Sequence, residues 1–212
     1  MAILVNNVLG SFRGKVGDII GYWSKQGYRI RKAPAKSLKE ATEAQKTQRA
    51  KFALTSCFLN PLRELLHLLP ERGKKKQTAF NSAFSRVSKE AVYGSGDGCF
   101  IRFEAVKLSS GNMRTGYMHA LSVCGWRINL SWCHHHPVTY GTAVLLVYNS
   151  VKKCWVYTLS AQSESGNSVH LDVPCDFSGD KLEIYFFLIA ASRKDVSDTV
   201  YLGSRSIDEE GC

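Results

Sequence analysis

The stretch GWRINLSW, residues 125–132, has the clearest structural pattern in this chain, because its apolar and polar side chains alternate. Successive side chains of a β-strand point to opposite faces of a sheet, so this pattern predicts a strand with one buried face. That face would consist of the large apolar side chains Trp126, Ile128, Leu130 and Trp132.

Similar alternation recurs about every ten residues through the C-terminal half. The predicted strands are FIRFEAVKLS (100–109), YMHALSV (117–123), TAVLLVYN (142–149), CWVYTLSA (154–161), SVHLDVP (168–174), KLEIYFFLIAAS (181–192) and TVYLGSRSI (199–207). TAVLLVYN and CWVYTLSA predict a hairpin, and the nearly continuous apolar run KLEIYFFLIAAS predicts a central strand. Seven or eight strands without a helical interlude are typical of a β-sandwich of the immunoglobulin or fibronectin type III kind.

Residues 42–93 follow a helical pattern instead. Thr42 and Gln45 match a capping box, and the apolar residues that follow recur with a period near 3.6. Asn60-Pro61 interrupts this pattern, because proline removes a backbone donor and clashes with the preceding turn, so we expect a kink or two helices. A second amphipathic segment carries its apolar residues on one side: Phe80, Phe84, Val87 and Ala91.

The glycine-rich sequence GSGDG, residues 94–98, separates the helical pattern from the alternating one and predicts a domain boundary. The predicted fold class is therefore α+β. An N-terminal β-hairpin with helices would occupy residues 1–93, and the all-β sandwich would occupy residues 98–212.

The N-terminal stretch DIIGYWSKQGYRIRK, residues 18–32, predicts a β-hairpin. Gly27, in the turn at residues 24–27, is free to adopt a positive φ. A helix is disfavoured, because glycines recur through residues 10–21 and each costs about 1 kcal/mol relative to alanine. An isolated hairpin is marginally stable, so this one must pack on the helices or on a partner.

Charge is distributed unevenly along the chain, which has a net charge of +10. Residues 1–95 contain 18 Lys or Arg and 6 Asp or Glu, whereas residues 96–212 contain 10 and 12. A basic half attracts polyanions, whether nucleic acid, an anionic membrane surface or an acidic protein. The alternative is a solvated basic surface that keeps the protein soluble.

Basic and aromatic residues interleave in the predicted hairpin, a pattern that suits nucleic acid because cations contact phosphates and aromatic rings stack on bases. The candidate binding residues are Tyr22, Trp23, Lys25, Tyr28, Arg29, Arg31 and Lys32 in the hairpin and Arg49 in the helical part. In one alternative, the aromatic residues pack on the helices and the charges protect an exposed strand edge. In another, the aromatic residues anchor a protein partner.

Catalytic and metal-binding patterns are weak in this sequence. Neither a phosphate-binding glycine loop nor a GxSxG elbow occurs, and Cys133 with His170 is only a candidate nucleophile and base. The run Cys133-His134-His135-His136 resembles a metal site, but neighbouring strand residues face opposite ways, and the spacing selects no further ligand among His119, His170, Cys154 and Cys175. We predict no enzymatic activity, no metal or cofactor, and no small-molecule substrate.

The sequence also predicts where the chain is made. Residues 1–10 lack the basic start and cleavage pattern of a signal peptide, and no apolar run is long enough to span a membrane. Seven cysteines are scattered without a CxxC pair, which fits a reducing compartment better than a disulfide framework. We expect synthesis in the cytoplasm, no membrane partner, and incorporation into a virion or another particle.

Several segments, in the same order, resemble an uncharacterised bacterial family of about this length that is known only as a domain of unknown function. They are GYRIRKAP, EATEAQKTQRAKFALTSCFLNPL, AFNSAF, AVKLSSGNM, AVLLVYN, DFSGDKLEIYFFLIAAS and DTVYLG. The resemblance covers almost the whole chain and implies no activity. The seven cysteines and the triple histidine depart from it.

The N-terminus, including the T-x-x-Q-x-x-Q-R pattern at Thr42, Gln45, Gln48 and Arg49, is also similar to small proteins encoded in prophages and other mobile elements. That similarity implies a virion or appendage component. The predicted function is therefore a non-catalytic structural or assembly module, and the alternative is a nucleic-acid-binding protein. We expect a homo-oligomer or other protein partners. The apolar segment Met1–Leu9 would pair with a sheet edge of another copy or, in the alternative, within its own chain against the hairpin or an edge of the sandwich.

Overall fold

The computed structural model describes residues 3–5, 11–24, 26–35, 40–70, 77–133, 141–161 and 167–207. The chain divides into two compact units, residues 1–42 and residues 43–212. This division precedes the first helix, whereas the boundary predicted at residues 94–98 lies inside the second unit. The chain is a mixed α+β protein with a β-rich body, and its helices belong to the same unit as the C-terminal sheets.

The first unit contains a four-stranded antiparallel sheet in the order β1-β2-β3-β4. Its strands are β1 (Ile3–Val5), β2 (Ser11–Val16), β3 (Ile19–Ser24) and β4 (Gly27–Lys32). β3 and β4 form the predicted hairpin, in which Gly27 has a φ of 110°. β1 belongs to the segment Met1–Leu9 and pairs with β2 of its own chain, which agrees with the alternative of pairing within the chain. The rest of that segment lies outside the described residues.

The second unit begins with helices. They are α1 (Glu43–Leu59), α2 (Arg63–His67) and α3 (Ala79–Arg86), with a 3₁₀ turn at Asn60–Leu62 and a π turn at Val87–Ala91. The predicted break at Asn60-Pro61 is confirmed, because the 3₁₀ turn separates α1 from α2. At the start of α3, the Thr78 hydroxyl accepts a hydrogen bond from the backbone N–H of Asn81 at 3.3 Å, and this bond caps the helix.

The segment FIRFEAVKLS departs from the predicted strand. Only its first two residues are extended: they form β6 (Phe100–Ile101), which pairs with β5 (Val92–Tyr93). A 3₁₀ turn follows at Phe103–Ala105, and the Phe103 carbonyl accepts a hydrogen bond from the Tyr185 hydroxyl at 2.9 Å. Val106 and Leu108 are buried, so the apolar pattern of this segment reflects burial in the core rather than a strand.

The remaining strands form two antiparallel sheets, in the orders β10-β9-β12-β13 and β11-β8-β7. They are β7 (Tyr117–Cys124), β8 (Arg127–Cys133), β9 (Gly141–Asn149), β10 (Cys154–Ala161), β11 (Ser168–Asp172), β12 (Lys181–Ala190) and β13 (Val200–Ser206). The predicted β9–β10 hairpin is confirmed. In β8, Ile128, Leu130 and Trp132 are buried, as the alternation predicts.

Two hydrophobic cores lie on opposite sides of the four-stranded sheet of the second unit. One is shared with the three-stranded sheet and the other with the helices. Side chains of β12 alternate between them: Leu182, Ile184, Phe186 and Leu188 enter the first, and Tyr185, Phe187 and Ile189 enter the second. Because both faces of β12 are covered, its apolar run is nearly continuous.

Phe58, near the end of α1, attaches the helices to the sheet. Its ring lies 4.8 Å from the Tyr148 ring and 4.9 Å from the Trp155 ring, between ring centres. The Trp155 indole N–H also donates to the Phe58 carbonyl at 2.7 Å. This hydrogen bond satisfies one of the carbonyls that the end of a helix leaves without an intrahelical partner.

None of the described helices is long and apolar enough to cross a membrane. Cys124 is disulfide-bonded, although the scattered cysteines were expected to fit a reducing compartment better than a disulfide framework. The free thiols among the described residues are Cys57, Cys99, Cys133, Cys154 and Cys175.

Candidate functional site

The strongest candidate surface belongs to the sheet of the first unit, whose two faces differ in chemistry. In the register of β2, β3 and β4, Lys15 lies opposite Ile20, Ile20 opposite Arg31, and Tyr22 opposite Arg29. Paired strand residues point to the same face. We call the face that carries Lys15, Tyr22, Arg29 and Arg31 the basic face.

The other face of this sheet is apolar. Val16 lies opposite Ile19, and Trp23 lies opposite Tyr28. We call the face that carries Val16, Ile19, Trp23 and Ile30 the apolar face. These four side chains are 47%, 41%, 62% and 56% exposed, so the structure leaves much of their surface in water.

The cations of the basic face are exposed and are not neutralised by the carboxylates that the structure describes. Lys15, Arg29 and Arg31 are all exposed, and none of the ion pairs within the described ranges involves them. The Arg31 guanidinium lies over the Tyr22 ring, 5.8 Å from its centre, and Arg29 donates to the Gln26 side-chain carbonyl. The contact with Tyr22 orients Arg31 without neutralising its positive charge.

Tyr28 has a structural role in this sheet. Its hydroxyl donates to the Phe12 carbonyl at 3.0 Å and accepts from the Phe12 amide at 3.1 Å, and the two rings pack edge to face with their centres 6.4 Å apart. A Cβ at Gly21 would clash with the Phe12 carbonyl and the Tyr28 hydroxyl. Glycine at position 21 therefore allows this close packing.

The structure separates the residues predicted to bind nucleic acid. Tyr22, Arg29 and Arg31 share the basic face, whereas Trp23 and Tyr28 lie on the opposite one. Trp23 and Tyr28 therefore cannot join Tyr22 in stacking on one strand of bases.

The structure does not assign the other predicted binding residues to the basic face. Lys32 pairs with Ile19 and so lies at the margin of the apolar face. Lys25 is outside the described residues. Arg49 belongs to the second unit, on an exposed side of α1 with Gln45, Gln48 and Phe52.

Lys15 is a residue of the basic face that was not among the predicted binding residues. A sequence signal was available, because this basic residue lies between the uncharged residues Gly14 and Val16 in a short strand. Its location on the same face as Arg31, with Ile20 between them, depends on the pairing of β2 with β3 and of β3 with β4, which the local pattern does not specify.

The candidate pair of Cys133 and His170 does not form. His170 pairs with Asn129, four residues before Cys133 on β8, so the two backbones are roughly 13 Å apart along the strand. His134, His135 and His136 lie outside the described residues. Within the described ranges, no group of three or more His, Cys, Asp or Glu side chains could hold a metal ion.

One buried carboxylate, missed from sequence, belongs to the second unit. Glu183 is 1% exposed, and its Oε2 accepts a hydrogen bond from the Tyr201 hydroxyl at 2.5 Å. Its Oε1 lies 3.3 Å from the Lys181 ammonium but makes no hydrogen bond. Burial, followed by the hydrogen bond to Glu183, raises the pKa of Tyr201 above its usual value.

The comparison with protein families gives one match. The model described as "Family of unknown function (DUF6266)" matches residues 11–203, which include β2–β4 and nearly all of the second unit. No curated protein matches the chain.

Proposed function

This chain belongs to the DUF6266 family, whose function is unknown, and we propose that it is a non-catalytic assembly module that associates with further copies of itself. The larger particle would be a virion or an appendage, as the similarity of its N-terminus to prophage-encoded proteins implies. The β-rich body would be displayed on that particle, and the N-terminal sheet would attach it.

The observation that carries this proposal is the exposed apolar face. Monomeric proteins seldom leave large contiguous apolar patches in water, and such patches often mark interaction sites. Val16, Ile19, Trp23 and Ile30 are each more than two-fifths exposed on one side of a single sheet. Covering them would stabilise an assembly by removing apolar surface from water.

A second copy is the partner that we propose for this face. Two identical apolar faces related by a two-fold axis complement each other. In such a pair Lys15, Arg29 and Arg31 of both copies point away from the contact, because they lie on the opposite face. Pairing through the apolar faces therefore avoids placing these like charges against one another.

We also propose that the β-rich body is a sandwich of the immunoglobulin or fibronectin type III class. The support is its division into a four-stranded and a three-stranded antiparallel sheet that share a core. Many cell-surface domains share this sandwich architecture. A sandwich of this class agrees with a non-catalytic function, although fold alone does not assign one.

The test replaces Trp23 and Ile30 by threonine, which keeps β-propensity and removes apolar surface. We expect the natural chain to form a multimer at micromolar concentrations in light scattering, and the Trp23→Thr/Ile30→Thr variant to be monomeric. The matched control, Val151→Thr/Leu159→Thr, changes two apolar side chains of the second unit that are 63% and 43% exposed, and it should assemble normally. A monomeric natural chain, or an unchanged multimer in the first variant, would contradict the proposal.

A further inference from the structure

We propose that the basic face binds the phosphate backbone of nucleic acid without reading its sequence. This inference goes beyond assembly, because the basic face lies on the opposite side of the sheet from the apolar face. One sheet could therefore contact another subunit and nucleic acid at the same time.

The N-terminal sheet is rich in cations. Residues 11–35 contain six Lys or Arg and one carboxylate, Asp18. Among the ion pairs that the described part of the chain makes, none neutralises Lys15, Arg29 or Arg31. Exposed cations of this kind attract polyanions and displace their condensed counterions.

The spacing of the cations on the basic face also suits a polyanion. Arg29 and Arg31 are two residues apart on β4, roughly 7 Å, and Lys15 and Arg31 are separated by two strand spacings, roughly 10 Å. This regular array suits a ligand with repeated charges. Arginine also presents a planar fork of donors that matches phosphate geometry.

The separation of basic and apolar side chains on opposite faces favours nucleic acid over a membrane as the ligand. Peripheral binding to a bilayer usually combines basic residues with apolar side chains that enter the acyl boundary. Here the exposed apolar side chains Trp23 and Ile30 lie on the opposite face from Arg29 and Arg31. A planar membrane cannot engage both faces of one sheet.

The position of Tyr22 argues for contact with the backbone rather than the bases. Arg31 covers one side of the Tyr22 ring, and Trp23 and Tyr28 lie on the other face of the sheet. The basic face therefore offers no row of free aromatic rings for successive bases. Phosphate contacts alone carry no sequence information, so we expect comparable binding to single-stranded and double-stranded oligonucleotides of any sequence.

The experiment measures binding of the full chain to fluorescent oligonucleotides by anisotropy at several salt concentrations. Three phosphate contacts predict a slope of roughly −2.7 in log affinity against log salt for duplex DNA, or about a 40-fold loss between 50 and 200 mM salt. The Lys15→Gln/Arg29→Gln/Arg31→Gln variant should bind at least about ten-fold more weakly at low salt and lose most of this slope.

The matched control is Arg114→Gln/Lys194→Gln/Arg205→Gln, which removes the same charge from exposed residues of the second unit. It should keep both affinity and slope, and circular dichroism would verify that each variant is folded. The Arg29→Lys/Arg31→Lys variant, which retains the charge, should keep most of the affinity.

Three results would overturn this inference. They are absence of binding by the natural chain at low salt, equal weakening by the two triple variants, and binding to vesicles of phosphatidylserine and phosphatidylcholine but not to oligonucleotides. Light scattering of the same variants separates this inference from the assembly proposal, because loss of charge on the basic face should leave the multimer intact.

Discussion

Among single residues, Tyr28 shows how one hydroxyl group can join two strands that do not pair directly. Phe12 belongs to β2, and Tyr28 belongs to β4, on the far side of β3. The Tyr28 hydroxyl satisfies both the amide and the carbonyl of Phe12, and Gly21 leaves room for this contact. The Tyr28 hydroxyl therefore provides a hydrogen-bond partner for both backbone groups of Phe12 in β2.

Replacing Tyr28 by phenylalanine should lower the free energy of unfolding of the first unit by about 1–3 kcal/mol, because the Phe12 amide and carbonyl lose their partner. Urea unfolding followed by tryptophan fluorescence can measure this change, since Trp23, 5.6 Å from Tyr28 between ring centres, is the only tryptophan of residues 1–42. Tyr22→Phe, at an exposed position, is the control and should be nearly neutral. Equal stability of both variants would show that the Tyr28 hydroxyl contributes nothing.

Among the secondary-structure elements, the pairing of β12 with β13 places buried phenols beside a carboxylate. Tyr185 pairs with Tyr201, and the Tyr201 hydroxyl donates to Glu183. Burial, reinforced by the charge of Glu183, raises the pKa of Tyr185 above its usual value, and Tyr201 shifts in the same direction. Both phenols therefore stay protonated in the folded chain when exposed tyrosines ionise.

Tyr185 and Tyr201 should make the folded protein less stable at alkaline pH. A phenol whose pKa is higher in the folded state than in the unfolded state stabilises the folded state. This stabilisation is present in full below pH about 10, the pKa of an unfolded tyrosine, and is lost as the pH rises toward the pKa of the folded state. We expect the free energy of unfolding, measured with urea, to fall between pH about 9 and 11.

The decrease in the free energy of unfolding at alkaline pH should be smaller in Tyr201→Phe, because that variant lacks one of the two phenols with a raised pKa. The decrease should be unchanged in Tyr157→Phe, a control at an exposed position. Phenolate absorbance gives an independent measurement. If all nine tyrosines ionised near pH 10 while the chain remained folded, the prediction would be wrong.

In the molecule as a whole, the core shared by the helices and the four-stranded sheet determines which part of the chain folds cooperatively. Phe58, Leu59 and Leu66 of the helical region pack in the same core as Tyr148 and Phe187 of the sheet. Removing the helices would leave these sheet residues in water, at a cost of about 25 cal/mol for each Å² of apolar surface exposed.

A fragment of residues 43–212 should therefore melt cooperatively, whereas a fragment of residues 97–212 should not. Circular dichroism during heating would compare the two fragments. The full chain serves as the reference for the transition of the second unit. A cooperative transition in the shorter fragment would show that the β-structure folds without the helices and would favour the boundary predicted at residues 94–98.

Much of the secondary structure follows from local patterns in the chain. Alternation at Ile128, Leu130 and Trp132 predicts β8, Gly27 predicts the hairpin turn, and Pro61 predicts the break after α1. Each depends on the conformational preference of one residue or on neighbours a few positions away, and such preferences act before distant contacts form.

Local patterns could identify only part of the candidate site. The basic and aromatic residues of the hairpin were visible, and alternation alone separates Tyr22 from Trp23. The location of Lys15 on the same face as Arg31 could not be predicted, because it depends on the pairing of three strands. The structural role of Tyr28 also depends on Phe12, 16 residues earlier in the chain.

Composition and periodicity thus established a basic N-terminal half, the type of most helices and strands, and a central apolar strand. Tertiary packing alone decided that the helices share a core with that strand, and that Phe103–Ala105 within FIRFEAVKLS form a 3₁₀ turn where a strand was expected. The physical reason is that an apolar side chain gains free energy from any covering surface. Its pattern predicts that it will be buried, but only the assembled fold specifies which element covers it.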